Sequence, residues 1–374
     1  MRIGVVTEEY YPSLGGIPEH VHNFAREARR LGHTVKIVTS VMPDVAKGAP
    51  TPTEAQSADV LRVGASRPLA QRGAVGRVTG GTGVGAALRD LFARERFDVV
   101  HVHAPLSPVL PLLAIHHATG PVVGTFHPGA RPGLLFRLAR GVLQRYVDRL
   151  DATIAVSQAA LAPYGDRLGS DVRMIPHGVD YERLSRGRRL RRFDDGKLNV
   201  LWLGRVEPRN GLDCMIGAFH RAWRQIDARL IVVGDGPGLA RARARLPREL
   251  EEDVVFAGRV QDERPDWYAT ADVFCAPSQA PSAGVTLLEA MAAGKPVLAS
   301  DVEGYREVVQ HGREGEILPA TDEAAWARAL LRLAREPARG PAYGERGRVT
   351  AQRFAWPSVA REVLGVYRAI GVRG

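Results

Sequence analysis

Cysteine is almost missing from these 374 residues: Cys214 and Cys275 are the only two, and they lie far apart in apolar segments. That excludes a disulfide framework or a zinc-ligand spacing and fits reduced thiols in a cytosolic setting. Long apolar runs are missing as well. The densest, Pro108 to Ala118, is broken by Pro111, His116 and His117 and falls short of the ~18 residues that a bilayer span requires. The opening Met1-Arg2-Ile3-Gly4-Val5-Val6-Thr7-Glu8-Glu9 puts two carboxylates where a signal peptide needs its apolar core, so a cytoplasmic location is expected. Lysine is scarce too: Lys36, Lys47, Lys197 and Lys295 are four of 51 basic residues, and the net charge of 51 − 41 = +10 is carried almost wholly by guanidinium. Such an excess suits phosphates, acidic lipid headgroups or nucleic acid without choosing among them, and an arginine bias can equally reflect genome composition. With 45% hydrophobic and 25% charged residues the chain is globular, and its length allows two domains.

What is present is an alternation of buried-strand and amphipathic-helix patterns. A strand at Arg2 to Thr7, a glycine-containing loop, a helix from about Pro18 to Leu31 and a strand at Thr34 to Thr39 make one right-handed parallel unit. Residues 42–85 are rich in Pro, Gly and Thr and read as loops around one strand, Val60 to Val63. A helix at Gly85 to Glu95 and strands at Phe97 to His103, Pro121 to Phe126, Ala152 to Val156 and Val172 to Ile175 complete a first doubly wound sheet. Between Pro176 and Lys197, six arginines fall within ten residues that hold no acid, which reads as an interdomain linker. A second alternation follows, with strands at Leu198 to Leu203, Leu230 to Val233, Val254 to Ala257, Val273 to Ala276 and Val297 to Ser300, and an amphipathic helix closes it at Trp356 to Ile370.

Several residues carry chemistry by type and position. Gly15 and Gly16 open a helix, where backbone N–H groups can approach an anion, although a glycine pair alone is more often an ordinary tight turn. Arg205 leaves a strand end, where a guanidinium can fork onto phosphate or simply form a surface ion pair. Glu289 precedes a run of small residues that ends at Gly294 and can accept hydrogen bonds from hydroxyls or stand solvated. His127 follows a strand, as packed histidines also do. His101 and His103 share one face of a strand, but without an evident third ligand a metal pair is rejected.

Seven segments in order give these residues a common sense: Gly15-Gly16, Asp98 to His103, Thr125-Phe126-His127, Ile175-Pro176-His177-Gly178-Val179-Asp180, Gly204-Arg205, Val233-Gly234-Asp235-Gly236-Pro237, and Leu288-Glu289 through Val297. The set resembles the retaining glycosyltransferases of family 4, with a GT-B fold, and within them the bacterial phosphatidylinositol mannosyltransferases. The resemblance implies two facing doubly wound domains: an acceptor domain at residues 1–176, a nucleotide-sugar domain at 177–355, and a helix at 356–374 crossing back to the first. It implies transfer of a hexose of mannose or glucose type from a nucleotide-diphosphate sugar to a lipid or glycan, without metal and without nucleic acid. Catalytic roles fall on His127 and Arg205, and donor binding on Gly15, Gly16, Arg205, Arg209, Asn210, Val260, Ser282, Ala283, Gly284, Val285 and Glu289.

Two positions depart from the pattern. A lysine expected five residues after Arg205 is Asn210, and a glutamate expected eight residues before Glu289 is Pro281. Asparagine cannot neutralise phosphate, and proline offers neither a side-chain acceptor nor a backbone donor. Arg209 can replace the cation if its loop turns it inward; nothing nearby replaces the glutamate. A second reading is therefore a weak or inactive nucleotide-sugar-binding or partner protein. Finally, Leu134, Leu135, Leu138, Val142 and Leu143 alternate with Arg131, Arg137, Arg140, Arg145 and Arg149, a pattern suited to peripheral docking on an anionic membrane or to a helix packed on the sheet.

Overall fold

In the computed structural model, which describes every residue except 14, 44–57, 72–73, 128–138, 169–170, 261 and 374, the apolar opening run is the buried strand β1 (Arg2–Val6). It is flanked in parallel by β2 (Thr34–Val41) and β5 (Val99–His103). With β3 (Val60–Gln71), β4 (Ala74–Gly80), β6 (Val122–Phe126), β7 (Ala152–Ala155) and β8 (Val172–Met174) the order is β4-β3-β2-β1-β5-β6-β7-β8. All pairings are parallel except the edge hairpin β3–β4. Strands β5 and β6 are buried at every residue, as expected of parallel strands covered on both faces.

The first helix, Gly16–Arg30, buries Val21, Phe24, Ala25 and Ala28, the stripe legible in its sequence. It packs against the helix Trp356–Ala369, whose Val359, Val363, Leu364 and Tyr367 join the same core. Each large side chain so covered contributes roughly 1.5–3 kcal/mol. The contacts accordingly group Met1–Gly178 with Trp356–Gly374 in one unit and Val179–Ala355 in another. The first unit runs two residues past the expected boundary because His177 is buried within it and Gly178 lies so close to the Trp356 indole that a β-carbon would come within 2.4 Å.

The second unit holds a six-stranded, wholly parallel sheet of β9 (Leu198–Leu203), β10 (Ala228–Val233), β11 (Val254–Gly258), β12 (Val273–Ala276), β13 (Val297–Ser300) and β14 (Gly315–Leu318). Its order is β11-β10-β9-β12-β13-β14.

Three local expectations are corrected. The stretch read as loops around a short strand holds a long hairpin, pinned where the Arg77 guanidinium donates to the Ser66 hydroxyl at 3.0 Å and carbonyl at 3.1 Å. Strand β14, unread in the sequence, runs so close to β13 that a β-carbon on Gly315 would meet the Val297 carbonyl oxygen at 1.8 Å. The arginine-rich segment is no linker. Leu184 and Phe193 are buried, Asp180 caps the helix Tyr181–Ser185, and Arg189 forks onto both Asp272 oxygens at 2.7 and 3.3 Å. Among the described residues no helix is long and apolar enough to cross a membrane.

Candidate active site

In an open parallel sheet, ligands gather beyond the carboxyl ends of the strands, where the strand order reverses. In the second unit that point lies between β9 and β12. The loop after β9 carries Arg205, Arg209 and Asn210; the loop after β12 carries Pro281, Ser282, Ala283 and Gly284. The two are fastened to each other. The Gln279 N–H donates to the Arg209 carbonyl at 2.7 Å, and Gly211, at φ +74°, sits so close to Pro277 that a β-carbon would lie 1.8 Å from its carbonyl oxygen. The β10 loop joins them through Gly234, where a β-carbon would lie 1.8 Å from the Gly204 oxygen. Only glycine permits backbones to meet this closely.

Arg205 and Arg209 clasp one carboxylate from two sides: their Nε atoms lie 2.7 Å from Glu207 Oε1 and 2.8 Å from Oε2. Both arginine side chains are more than half exposed, so these pairs hold weakly and can be exchanged for an anionic ligand. The Asn210 amide is turned away, donating to the Arg205 carbonyl at 2.7 Å, and the Pro281 ring is exposed. Gly284, at φ +69°, caps the eight-residue helix Val285–Ala292, whose first N–H groups have no acceptor within the helix and favour negative charge. On that helix Glu289 is buried: Arg264 Nη1 donates to its Oε1 at 2.9 Å and the Tyr268 hydroxyl to its Oε2 at 2.7 Å. Sequence reasoning missed Arg264 and Tyr268, because the pairing joins two helices whose contact is not legible in a linear chain. Val260 packs partly buried against the same core as Leu288.

Gly15, Gly16 and His127 belong to the first unit, at the carboxyl ends of β1 and β6. The helix begins at Gly16, two residues before the sequence expectation, and a β-carbon at Gly16 would meet no atom of the described residues within 4 Å. Pro18, third in the helix, removes one of its free donors and leaves Gly16 and Ile17 to supply them. On the loop after β1, Glu8 was read only as an obstacle to a signal peptide. It is buried, accepts from the Thr79 hydroxyl at 2.6 Å, and burial pushes its carboxyl up to about 7.

His127 stands in company the sequence did not foretell. Residues 103 and 125 are partners across β5 and β6, which brings the His103 and His127 rings together with Nδ1 of the first 3.0 Å from Nε2 of the second. His127 Nδ1 lies 3.4 Å from His177 Nε2, and His177 Nδ1 lies 3.1 Å from His20 Nδ1. His101, stacked on His103 at 4.5 Å between centroids, lies 2.6 Å from both the Tyr367 and the Thr125 hydroxyl. All five rings are buried, and burial holds every one of them below its ordinary range, His101 at about 3 and His177 at about 4. Both nitrogens of His127 already have partners, so it can touch a substrate only by releasing one. Among the described residues no three His, Cys, Asp or Glu side chains are arranged to hold a metal.

Two wholly or largely parallel sheets, each with its loops gathered at a switch point, make up the two-domain architecture of the GT-B fold. Residues 14–183 match the family described as Glycosyltransferase Family 4, and residues 197–336 the one described as Glycosyl transferases group 1. The phosphatidyl-myo-inositol mannosyltransferase of Mycobacterium leprae is 34% identical over 100% of this chain and 98% of its own. A GDP-mannose-dependent alpha-(1-6)-phosphatidylinositol monomannoside mannosyltransferase of Mycobacterium tuberculosis is 30% identical over 98% of both. Among solved structures, Anabaena HepE in complex with UDP superposes with a TM-score of 0.79 at 20% identity, over 99% of this chain and 100% of that one. The chain belongs to the family 4 glycosyltransferases.

Proposed function

We propose that this chain transfers a mannosyl residue from a nucleoside-diphosphate mannose to the headgroup of an inositol phospholipid, with retention at the anomeric carbon. The observation that carries the reading is that the loop of Arg205 and the loop leading to the helix start at Gly284 leave the β9/β12 switch point and are tied together by the Gln279 N–H on the Arg209 carbonyl, in a chain alike over its whole length to mannosyltransferases. In this reading the diphosphate lies on Arg205 and the N–H groups after Gly284, and Glu289 uses its remaining lone pairs on the ribose hydroxyls. Val260, Ser282 and Ala283 line the donor, with Arg209 as a second cation. The second unit takes the nucleotide and the first takes the lipid, and Gly15, Gly16 and His127 are the first unit's candidates for serving the transfer. The leaving phosphate helps to deprotonate the acceptor as it departs on the same face, and its growing charge is held by Arg205. No metal has a role in this scheme, and a chelator is expected to leave turnover unchanged.

The test is incubation with GDP-mannose and vesicles containing phosphatidylinositol, with UDP-glucose as the competing donor, followed by mass spectrometry of the lipid and NMR of the new linkage. A mannosyl lipid that keeps the α configuration of the donor is expected. A specific observation favours the second reading, an inactive nucleotide-sugar-binding protein: the Asn210 amide is spent on a backbone carbonyl and Pro281 offers the sugar nothing. Nucleotide binding by calorimetry with no lipid product and no release of nucleoside diphosphate would favour that one. The double substitution Asn210→Lys with Pro281→Glu is expected to tighten donor binding or to create donor hydrolysis. If neither changes, the pocket serves a different ligand.

Peripheral docking belongs to the same reading. Leu134, Leu135, Leu138, Arg131 and Arg137 lie outside the described residues. On the helix Arg140–Val147, Val142 is 58% exposed between the exposed Arg140 and Arg145, so an apolar side chain and two cations share the accessible surface there. Sedimentation with liposomes is expected to rise with acidic lipid and fall with salt. Equal recovery in the supernatant for neutral and acidic liposomes would remove the docking.

A further inference from the structure

Four buried imidazoles of the first unit, His103, His127, His177 and His20, are joined nitrogen to nitrogen at 3.0, 3.4 and 3.1 Å. The free end of the series, His103 Nε2, is buried and has no hydrogen-bond partner among the described residues. A neutral imidazole carries one N–H and one lone pair, so a donor at one ring dictates the direction at the next. A buried N–H without an acceptor forfeits a whole hydrogen bond, and such orphans are rarer than under-used acceptors. His103 Nε2 therefore holds the lone pair and its proton sits on Nδ1. The rest is forced: His103 Nδ1–H donates to His127 Nε2, His127 Nδ1–H to His177 Nε2, and His177 Nδ1–H to His20 Nδ1, which leaves the His20 proton on Nε2.

We propose that His103 and His177 are positioning residues for His127: they hold it as the Nδ1–H tautomer, and opening the longer bond, to His177, turns that N–H toward the sugar or the departing oxygen while His103 keeps the ring seated. This rests on the reading that His127 serves the transfer. No proton is gained or lost, since one N–H···N bond is exchanged for one N–H···O bond. Neutrality suits the device. Trp356 faces His20 at 5.0 Å, and His101 stacks on His103, itself enclosed by Phe24 and by the hydroxyls of Tyr367 and Thr125. Among the described residues, the groups that act electrostatically on His20, His103 and His127 are other histidines, each of which opposes a positive charge.

The test is long-range proton–nitrogen NMR of the full chain labelled with [15N]histidine near neutral pH, where bare and protonated ring nitrogens separate. Expected are Nδ1–H rings at His103, His127 and His177, an Nε2–H ring at His20, and none of these four charged. His103→Phe should mix the His127 tautomers and lower kcat on the order of tenfold with KM for the donor unchanged. His103→Asn, whose amide can donate from the Nδ1 position, should restore both. A His127 ring found as Nε2–H or charged in the unmodified protein, or left unaltered by His103→Phe, overturns the proposal. Lipid mannosylation with the opposite tautomer would sink the relay and spare the functional reading; the expected tautomers without transfer from any donor would do the reverse.

Discussion

Between pH 6.5 and pH 5 the first unit is expected to lose several kcal/mol of stability. An ordinary histidine titrates near 6.5, whereas burial holds His101 at about 3 and His177 at about 4, and holds His20, His103 and His127 well below 6.5. Below 6.5 the unfolded chain takes up protons that the folded unit refuses. The stability is therefore complete above 6.5 and falls with pH down to the folded values, by about 1.4 kcal/mol per ring per pH unit. Glu8 works in the opposite sense: its carboxyl, raised from 4.5 to about 7, contributes most below 4.5 and loses that contribution as pH rises through 7. Glu9 is raised too, yet the two carboxyls recover at most one proton each against five rings. Against a total of roughly 5–15 kcal/mol for a domain, the loss is large. Urea titrations across this range check it, with hydrogen exchange expected to quicken in β5 and β6 before β9 and β10. A midpoint flat from pH 7.5 to 5 would mean that the rings find a proton acceptor in the folded state.

Arg205→Ala is expected to lower turnover about a hundredfold at saturating donor, the ~3 kcal/mol typical of one charge-stabilising group at a departing oxyanion. The geometry favours a large kinetic and a small structural effect. Arg205 gives up only an exposed pairing with Glu207, and Glu207 keeps Arg209, so the fold should lose little. Arg209→Ala is the internal comparison and should cost less, because its loop carbonyl, rather than its guanidinium, ties it to Gln279 and Ser278. Unchanged turnover for Arg205→Ala would move the phosphate clamp elsewhere.

The elements with strong periodicity were legible in the chain: the stripe Val21, Phe24, Ala25, Ala28 reads as one buried face, and the central strands of both sheets, such as β1, β9 and β10, are largely apolar runs. The β3–β4 hairpin was not, since its proline and glycine content looks like loop while the ladder that forms it joins residues up to 15 apart, such as Ala65 and Gly80. The arginine run misled in another way. Its partners lie some 80 residues later: the Arg189 guanidinium pairs with Asp272, and the Arg188 backbone N–H donates to Asp266. The loops after β9 and β12 could be found by motif. The histidine series could not, because it depends on strand register, on a helix that starts at Gly16, and on His177 returning beside them; the one linear hint was that His101 and His103 share a strand face.

The second unit is an insertion: the chain leaves the first unit after Gly178 and re-enters it at Trp356, so 177 residues are made in between. During synthesis at the ribosome this delays the first core. Trp356, which packs edge-on against His20, and Tyr367, whose hydroxyl meets His101, emerge only after the whole inserted unit has been translated. Until then His20 lacks the Trp356 ring and His101 the Tyr367 hydroxyl that they meet in the finished unit. The inserted unit has all of its strands in one continuous stretch and can complete its sheet first, reversing the amino-to-carboxyl order in which domains usually fold on the ribosome.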